Sequence, residues 1–292
     1  MGNVIMSNFT DFISGGGSAS QINEVVTLNN TADTVTLADA RVYLKGGVFE
    51  TNTSTYPLAQ SSWQATGTSF NVFSQDTQPT DITWDGTHFW MLGDSSNAVY
   101  KYTAAGVYTG TSFSVSAQTS QPQGLTWDGT FFWMVEPLSQ RLYKYNSAGV
   151  LQTSFSIGAQ DTYPRAVTWD GTHLWVLGSS NAAVYKYNSS GVYQSVSFSV
   201  AAQETVPHGI AWDGTSFWVT GIVTDNVYKY NASGVYQDVS FSAGTTNPYG
   251  IVGVGTSLWV VDRNTRLVSQ FTFVNGVQSQ VSLGAQNYVR VA

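Results

Sequence analysis

The chain has no cysteine among its 292 residues, which excludes disulfides and thiolate metal sites. Charge is scarce: Asp, Glu, Lys and Arg make up 10% of the sequence, far below the roughly 25% of an average globular protein. Only 11 Lys and Arg are spread along the chain, and no basic cluster forms that could neutralise phosphates, so nucleic acid is not an expected partner. No apolar run reaches the roughly 18 residues a membrane-spanning helix needs, so membrane insertion is not expected. The opening MGNVIMSNFTDFISGGGSAS has neither a charged n-region nor an apolar h-region, so a secretory leader is not expected either. Gly2 would suit myristoylation, but Met6 stands where Ser or Thr belongs. Histidine is limited to His88, His173 and His208, without zinc-ligand spacing. No Ser-His-Asp set, Gly-rich phosphate loop or close carboxylate pair can be assembled. On these grounds no catalytic residue, no metal and no cofactor are expected, and the chain is expected not to be an enzyme.

What is abundant is aromatic and small polar residues. Aromatics reach 14%, with 10 Trp, and the polar remainder of Ser, Thr, Asn, Gln and Gly favours strands and tight turns. The arrangement is repetitive. Trp-Asp-Gly-Thr begins at Trp84, Trp127, Trp169 and Trp212, at spacings of 43, 42 and 43 residues, and an eroded fifth copy reads Gly253-Val254-Gly255-Thr256. A second tryptophan follows six residues after the start of each copy, at Trp90, Trp133, Trp175, Trp218 and Trp259, and a proline precedes each, at Pro79, Pro122, Pro164, Pro207 and Pro248.

One unit parses into four short strands: Asp81–Trp84, Phe89–Leu92, Val99–Tyr102 and a fourth around Ser112–Val115. The Asp-Gly pair suits a tight hairpin between the first two. Four-stranded units at this period are the signature of propeller blades, and the 3.6-residue stripes of a helical solenoid are missing. The fold expected is therefore all-β, a β-propeller of four-stranded antiparallel blades. Gly284–Ala292 resembles Gly158–Val167, so the last residues are expected to begin a further blade, completed by Gly47–Glu50, Tyr56–Gln60 and Ser69–Phe73. That gives six blades closed by both termini, with five as the alternative. Closure of this kind removes an exposed sheet edge. Residues 1–40 fall outside the repeat and are expected to form an attachment arm, with Asn8, Phe9 and Phe12 as its contact residues, while 41–292 form the propeller.

The candidate residues each have a plain structural reading. Asp85, Asp128, Asp170 and Asp213 could hold a divalent cation, but an Asp-Gly turn alone accounts for them. Their setting differs from the Ser-x-Asp-x-Gly-x-Thr-Trp order of the sialidase Asp box, and no cluster of three arginines accompanies it. All tryptophans but Trp63 fall in the two repeat columns, which suits packing between blades better than sugar stacking. In Tyr100-Lys101-Tyr102 and its copies, alternation puts both tyrosines on one face and the lysine on the other, where its stem can lie across a neighbour.

Variation is concentrated on one rim. The first–second and third–fourth turns are monotonous, whereas the second–third loops and the blade connections on the opposite rim differ. Loops on a rigid scaffold are where contact residues sit. The candidate binding residues are Asp94 and Asn97 in the first such loop, Glu136, Gln140 and Arg141 in the second, and Asn181 in the third. Asp225 and Asn226 come from the fourth, Arg263 and Arg266 from the fifth.

The recurring P-x-x-I/L/V-T-W-D-G-T-x-F-W-V and V-Y-K-Y-N-x-x-G-V-Y-x-x-S-F-S-V resemble the NHL-like propeller repeats of bacteriophage virion proteins, including tail-fibre and other receptor-facing components. Ala40–Pro57 resembles the segment that precedes the blades in such proteins, so the resemblance covers residues 40 to 292. It implies a structural or adhesive virion protein in multiple copies, assembled in the host cytoplasm and exposed outside the cell. Its implied partners are other virion proteins, through the arm, and a host surface receptor or glycan. A soluble lectin-type propeller is the alternative, and a glycoside hydrolase a distant third.

Overall fold

The computed structural model describes residues 61–274 and four short strands before them. Those strands are β1 (Thr34–Thr36), β2 (Val42–Leu44), β3 (Gly47–Phe49) and β4 (Thr55–Pro57); β1 pairs with β4 and β2 with β3, both antiparallel. The chain divides into two compact units, one of residues 1–62 with 274–292 and the other Trp63–Phe273. The contacts expected of Asn8, Phe9 and Phe12, the arm boundary at residue 40 and the strand at Gly284–Ala292 lie outside the described residues.

The second unit is a ring of five four-stranded antiparallel blades. Blade 1 comprises β6 (Pro79–Trp84), β7 (His88–Gly93), β8 (Ala98–Thr103) and β9 (Tyr108–Ser114), where β5 (Ser62–Asn71) precedes it in the chain. Blade 2 comprises β10 (Gly124–Trp127), β11 (Phe131–Glu136), β12 (Arg141–Asn146) and β13 (Leu151–Ser156). Blade 3 comprises β14 (Pro164–Trp169), β15 (Leu174–Gly178), β16 (Ala183–Tyr187) and β17 (Tyr193–Ser199). Blade 4 comprises β18 (Pro207–Trp212), β19 (Ser216–Gly221), β20 (Asn226–Asn231) and β21 (Tyr236–Ser242). Blade 5 takes β22 (Pro248–Val254), β23 (Ser257–Asp262) and β24 (Leu267–Val274) and completes itself with β5.

The propeller expectation holds, and the count is five, not six. Ser69–Asn71 does form the outer strand of a closing blade, but that blade is the fifth, whose own stretch of chain supplies three strands. Gly47–Phe49 and Tyr56–Pro57, expected in the same composite blade, pair instead with β2 and β1. The five first strands touch in a closed cycle, β6 to β10, β14, β18, β22 and back to β6, so no gap is left for a sixth blade.

The repeated aromatic pair explains why the blades stack. Successive strand residues point to opposite faces, so Phe89 faces blade 5 and Trp90 faces blade 2. Trp90 meets Phe132 at 4.9 Å, Trp175 meets Phe217 at 4.8 Å, and Trp259 returns to Phe89 at 4.9 Å. Trp133 packs with Leu174 and Trp218 with Leu258 in the two remaining clefts. Each such ring removes on the order of 150–250 Å² from water, so the clefts between blades are the core. Trp63, outside the repeat columns, joins the seam: its ring lies 4.8 Å from Trp218 and 5.6 Å from Phe241.

The Asp-Gly-Thr turns serve the same core. Asp85 Oδ1 accepts from the amides of Thr87 and His88 while Oδ2 accepts from Trp90 Nε1 at 2.7 Å. The Trp Nε1 bond recurs at 2.7 Å for Asp128 with Trp133, Asp170 with Trp175 and Asp213 with Trp218. Lys101, Lys144, Lys186 and Lys229 lie over the same four tryptophans at 4.9–5.2 Å.

Close approach at the axis demands small residues. A Cβ on Gly124 would meet the Ala166 backbone, and one on Gly250 would meet the backbone of Asp81. Asp81 is the exception to this rule, a buried carboxylate that accepts from the Ile82 and Leu125 amides at 2.8 Å and so ties β6 to β10.

Candidate functional site

Backbone geometry singles out one position in each blade. Proline begins β6, β14, β18 and β22, and the register shifts immediately after it, at Pro79/Asp81, Pro164/Ala166, Pro207/Gly209 and Pro248/Ile251. A bulge leaves a residue out of the ladder and re-aims its side chain. The residues so released are Thr80, Arg165, His208 and Tyr249; in blade 2 the matching residue is Gln123, just ahead of β10. They sit where each first strand begins, opposite the end of the second strand, and therefore on the variable rim. They also lie on the strands that surround the axis.

These side chains meet one another across blades. Thr80 Oγ1 donates to the Pro122 carbonyl at 3.2 Å, and Arg165 Nη1 donates to Gln123 Oε1 at 3.1 Å. The His208 and Tyr249 rings stand edge to face with centroids 4.1 Å apart. The Arg263 guanidinium lies 4.8 Å over Tyr249 and donates through Nη2 to Asp94 Oδ2 at 2.7 Å. Neither ring nitrogen of the buried His208 has a partner among the described residues. Burial, then the nearby positive charges of Arg165 and Arg263, hold its pKa down to about 3, so the imidazole is neutral at physiological pH.

The loops around this cluster are held from below by buried carboxylates. Asp76 Oδ2 accepts from the amide and hydroxyl of Ser96, Asp161 Oδ2 from the Asn181 amide at 2.9 Å, and Glu204 from Thr224. In blade 2 Glu136 does this from the end of β11, accepting from the Leu138 and Ser139 amides, and in blade 5 Asp262 does so from the end of β23. Asn97, Gln140, Ala182, Asp225 and Arg266 all close their loops in the left-handed region, with φ between 45° and 59°. Asn and Asp tolerate this conformation better than most residues. Buried tyrosines also hold the connections, since Tyr102, Tyr145, Tyr187 and Tyr230 donate to Gln75, Gln118, Gln160 and Gln203.

The expected binding residues therefore divide into groups. Asp94 and Arg263 are brought together at the axial cluster, and Arg266 sits on the same seam, donating to the Thr77 carbonyl. Glu136 is buried and turned inward, so its role is to hold its loop. Asn97 and Asp225 each bury an Oδ1 without a hydrogen-bond partner, and Gln140 reaches the Thr162 carbonyl of the next connection. Asn181 and Asn226 donate to Tyr185 and Tyr228. Arg141 lies along its own blade on Ser154, away from the axis. Around these polar groups, Phe73, Leu138 and Val223 are exposed on the same rim.

Sequence reasoning missed Gln123, Arg165, His208 and Tyr249 as a set. The available signal was the position after each proline, which reads Thr, Gln, Arg, His and Tyr where its neighbours are uniform. It lay within an apparent scaffold strand, and only the bulge frees it. A groove of about 350 Å³ lies elsewhere, at the Asp170 turn between blades 3 and 4, lined by His173, Lys186 and Trp212. Its Asp170 is committed to Trp175, as above. No group of three or more His, Asp or Glu among the described residues is arranged to hold a metal ion.

No protein-family model matches the chain, and no curated relative matches it. Among solved structures, it is similar to the glutaminyl cyclase of Myxococcus xanthus, with a TM-score of 0.58 and 8% identity over 75% of this chain and 100% of that one. It is also similar to a virginiamycin B lyase from Staphylococcus aureus, with a TM-score of 0.47 and 16% identity over 74% of this chain and 100% of that one. A chain of a nidogen/laminin complex gives a TM-score of 0.47 and 13% identity over 63% of this chain and 72% of that one. At such identities the likeness bears on the fold. It also corrects one expectation. The chain was expected not to be an enzyme because no catalytic set can be assembled from its sequence. A glutaminyl cyclase shares this architecture, so the fold and the missing motif do not exclude catalysis.

Proposed function

We propose that the chain is a contact module of a virion, a structural or adhesive protein that meets a host surface or a neighbouring virion protein through the variable rim. The observation that carries this reading is the division of the ring into a uniform scaffold and one diverse face. Core tryptophans recur in all five blades, and turn aspartates and buried tyrosines in blades 1 to 4, whereas the bulge residues and the second–third loops differ. The bulge residues and these loops emerge on one rim, together with exposed Phe73, Leu138 and Val223. Apolar tips around a polar centre are the mixture expected of a recognition surface. The repeat's resemblance to phage propellers supplies the virion part of the reading.

The test is immunoelectron microscopy, with an antibody to the ring, on particles from cells that make the chain. The proposal expects label on the outside of particles. Label confined to particle-free material would overturn it.

A further inference from the structure

We propose that Arg165, His208, Tyr249 and Arg263 form an axial binding site for a ligand bearing a single carboxylate, of the class of acidic monosaccharides. The proposal stands apart from the virion reading, because a site at the axis would serve any propeller. Four observations carry it.

First, the scaffold departs from its repeat at this point. The post-proline position is released from the ladder in four blades, and its side chains meet their neighbours across blades, Arg165 with Gln123 and His208 with Tyr249. Second, His208 is buried with both ring nitrogens unpartnered, in a protein whose other buried polar groups are mostly satisfied. A buried polar group without a partner calls for an explanation, and a ligand supplies one. A neutral imidazole offers one N–H donor and one acceptor, which suits a carboxylate oxygen beside a hydroxyl.

Third, two guanidinium groups reach this position in a chain of formal net charge −7. The charged groups that act on His208 are Arg165 and Arg263. Arg165 directs Nη1 to Gln123 and Nε to Ser179 and lies 4.5 Å over Tyr163, with no hydrogen bond from Nη2 among the described residues. Arg263 is already offset by Asp94 at 2.7 Å, so Arg165 is the guanidinium left without a carboxylate partner among the described residues. A monoanion balances it, whereas a phosphate dianion would leave an excess negative charge beside Asp94. Guanidinium groups pair with the planar carboxylate fork in a way ammonium groups do not. Fourth, Tyr249 is partly exposed and stands against His208, giving a flat aromatic wall for the face of a sugar ring.

The experiment is a titration of the full chain, followed by the histidine side-chain nitrogens in NMR. Only three histidines are present, and the His208 signals are identified as those lost in His208→Gln. Glucuronate, glucose and inorganic phosphate are the probes. The expected result is a saturable shift of the His208 signals with glucuronate, a weaker one with phosphate and none with glucose. Arg165→Gln should weaken glucuronate binding about tenfold, the ~1.4 kcal/mol of one charge-assisted bond. Arg165→Lys should recover only part of that. No shift with glucuronate, or an equal shift with glucose, would overturn the proposal. Tighter binding of phosphate than of glucuronate would overturn the carboxylate assignment. Thermal melting of both variants separates lost binding from lost folding.

Discussion

The carboxylate of Asp76 occupies the space that a Cβ on Gly93 would fill. The relationship repeats for Asp161 with Gly178 and for Glu204 with Gly221. In blades 2 and 5 the acid comes from the other side: Glu136 and Asp262 stand at the strand end where the other blades have glycine. Across from them, the connection supplies Thr119 and Thr245, and Thr245 donates to Asp262. Each blade thus keeps one buried carboxylate under its second–third loop, reached from either of two chain positions.

This exchange predicts a specific rescue. Gly93→Ala should destabilise the ring by about 2–3 kcal/mol, since the Asp76 carboxylate cannot yield without releasing Ser96. Glu136→Gly should cost about the same by leaving the Leu138 and Ser139 amides unpaired. Adding Thr119→Asp to Glu136→Gly should restore most of that loss, because it rebuilds the arrangement of blade 1. Urea denaturation of the three variants measures it.

Acid should unfold the protein through its turn aspartates. Burial raises the pKa of Asp85, Asp170 and Asp213, but hydrogen bonds from the tryptophan indole and the turn amides outweigh it and leave all three below the usual carboxylate value. A group whose folded pKa is depressed contributes stability above its unfolded pKa and loses it as pH falls through the folded value. Stability should therefore fall below about pH 4, where unfolded aspartates begin to take up protons. Replacing all three by Asn should lower stability at neutral pH and flatten this acid limb, read from urea midpoints across pH.

Arg263 and Asp94 should couple blade 5 to blade 1. Both side chains are largely buried, at 18% and 13% exposure, so the pair is screened less than a surface ion pair. A double-mutant cycle of Arg263→Gln and Asp94→Asn should return about 1–2 kcal/mol of coupling. A value near zero would mean that the seam is held by β5 and the aromatic core alone.

Trp63→Ala should be more damaging than its place outside the repeat suggests. Its half-buried ring packs against Trp218 and Phe241, so its removal should cost about 2–3 kcal/mol. Thermal melting would show it, and replacing the exposed Phe73 should have a far smaller effect.

Much of this architecture was legible because the blade is a repeat. The strand parse of Asp81–Trp84, Phe89–Leu92, Val99–Tyr102 and Ser112–Val115 falls within or next to the observed strands, and the Asp-Gly turn lies where expected. The expected sixth blade held one blade strand, given the wrong partners. Ser69–Asn71 is an outer strand, and Phe70 packs under Gly106 as Phe113 packs under Gly149. Periodicity tells what kind of strand a segment is, but not which distant partner it joins. The rim was legible as a region and less so by residue, because burial inverts the obvious choice. Glu136 looks like a surface charge and is a loop anchor, while His208 looks like scaffold and faces the axis. Asn97, Gln140, Asp225 and Arg266 vary, yet all occupy the same left-handed turn position, a shared constraint that their side chains conceal.

Everything proposed for the axis requires that β5 close a five-bladed ring. Thr66 on β5 donates to Gln270 on β24 at 3.0 Å, across 204 residues of chain. Because the chain has no cysteine, Thr66→Cys with Gln270→Cys introduces the only possible disulfide. Closure predicts that the double variant oxidises within a monomer, runs faster on a non-reducing gel and melts at a higher temperature than its reduced form. Disulfide-linked dimers, with no intramolecular bond under dilute oxidising conditions, would contradict it.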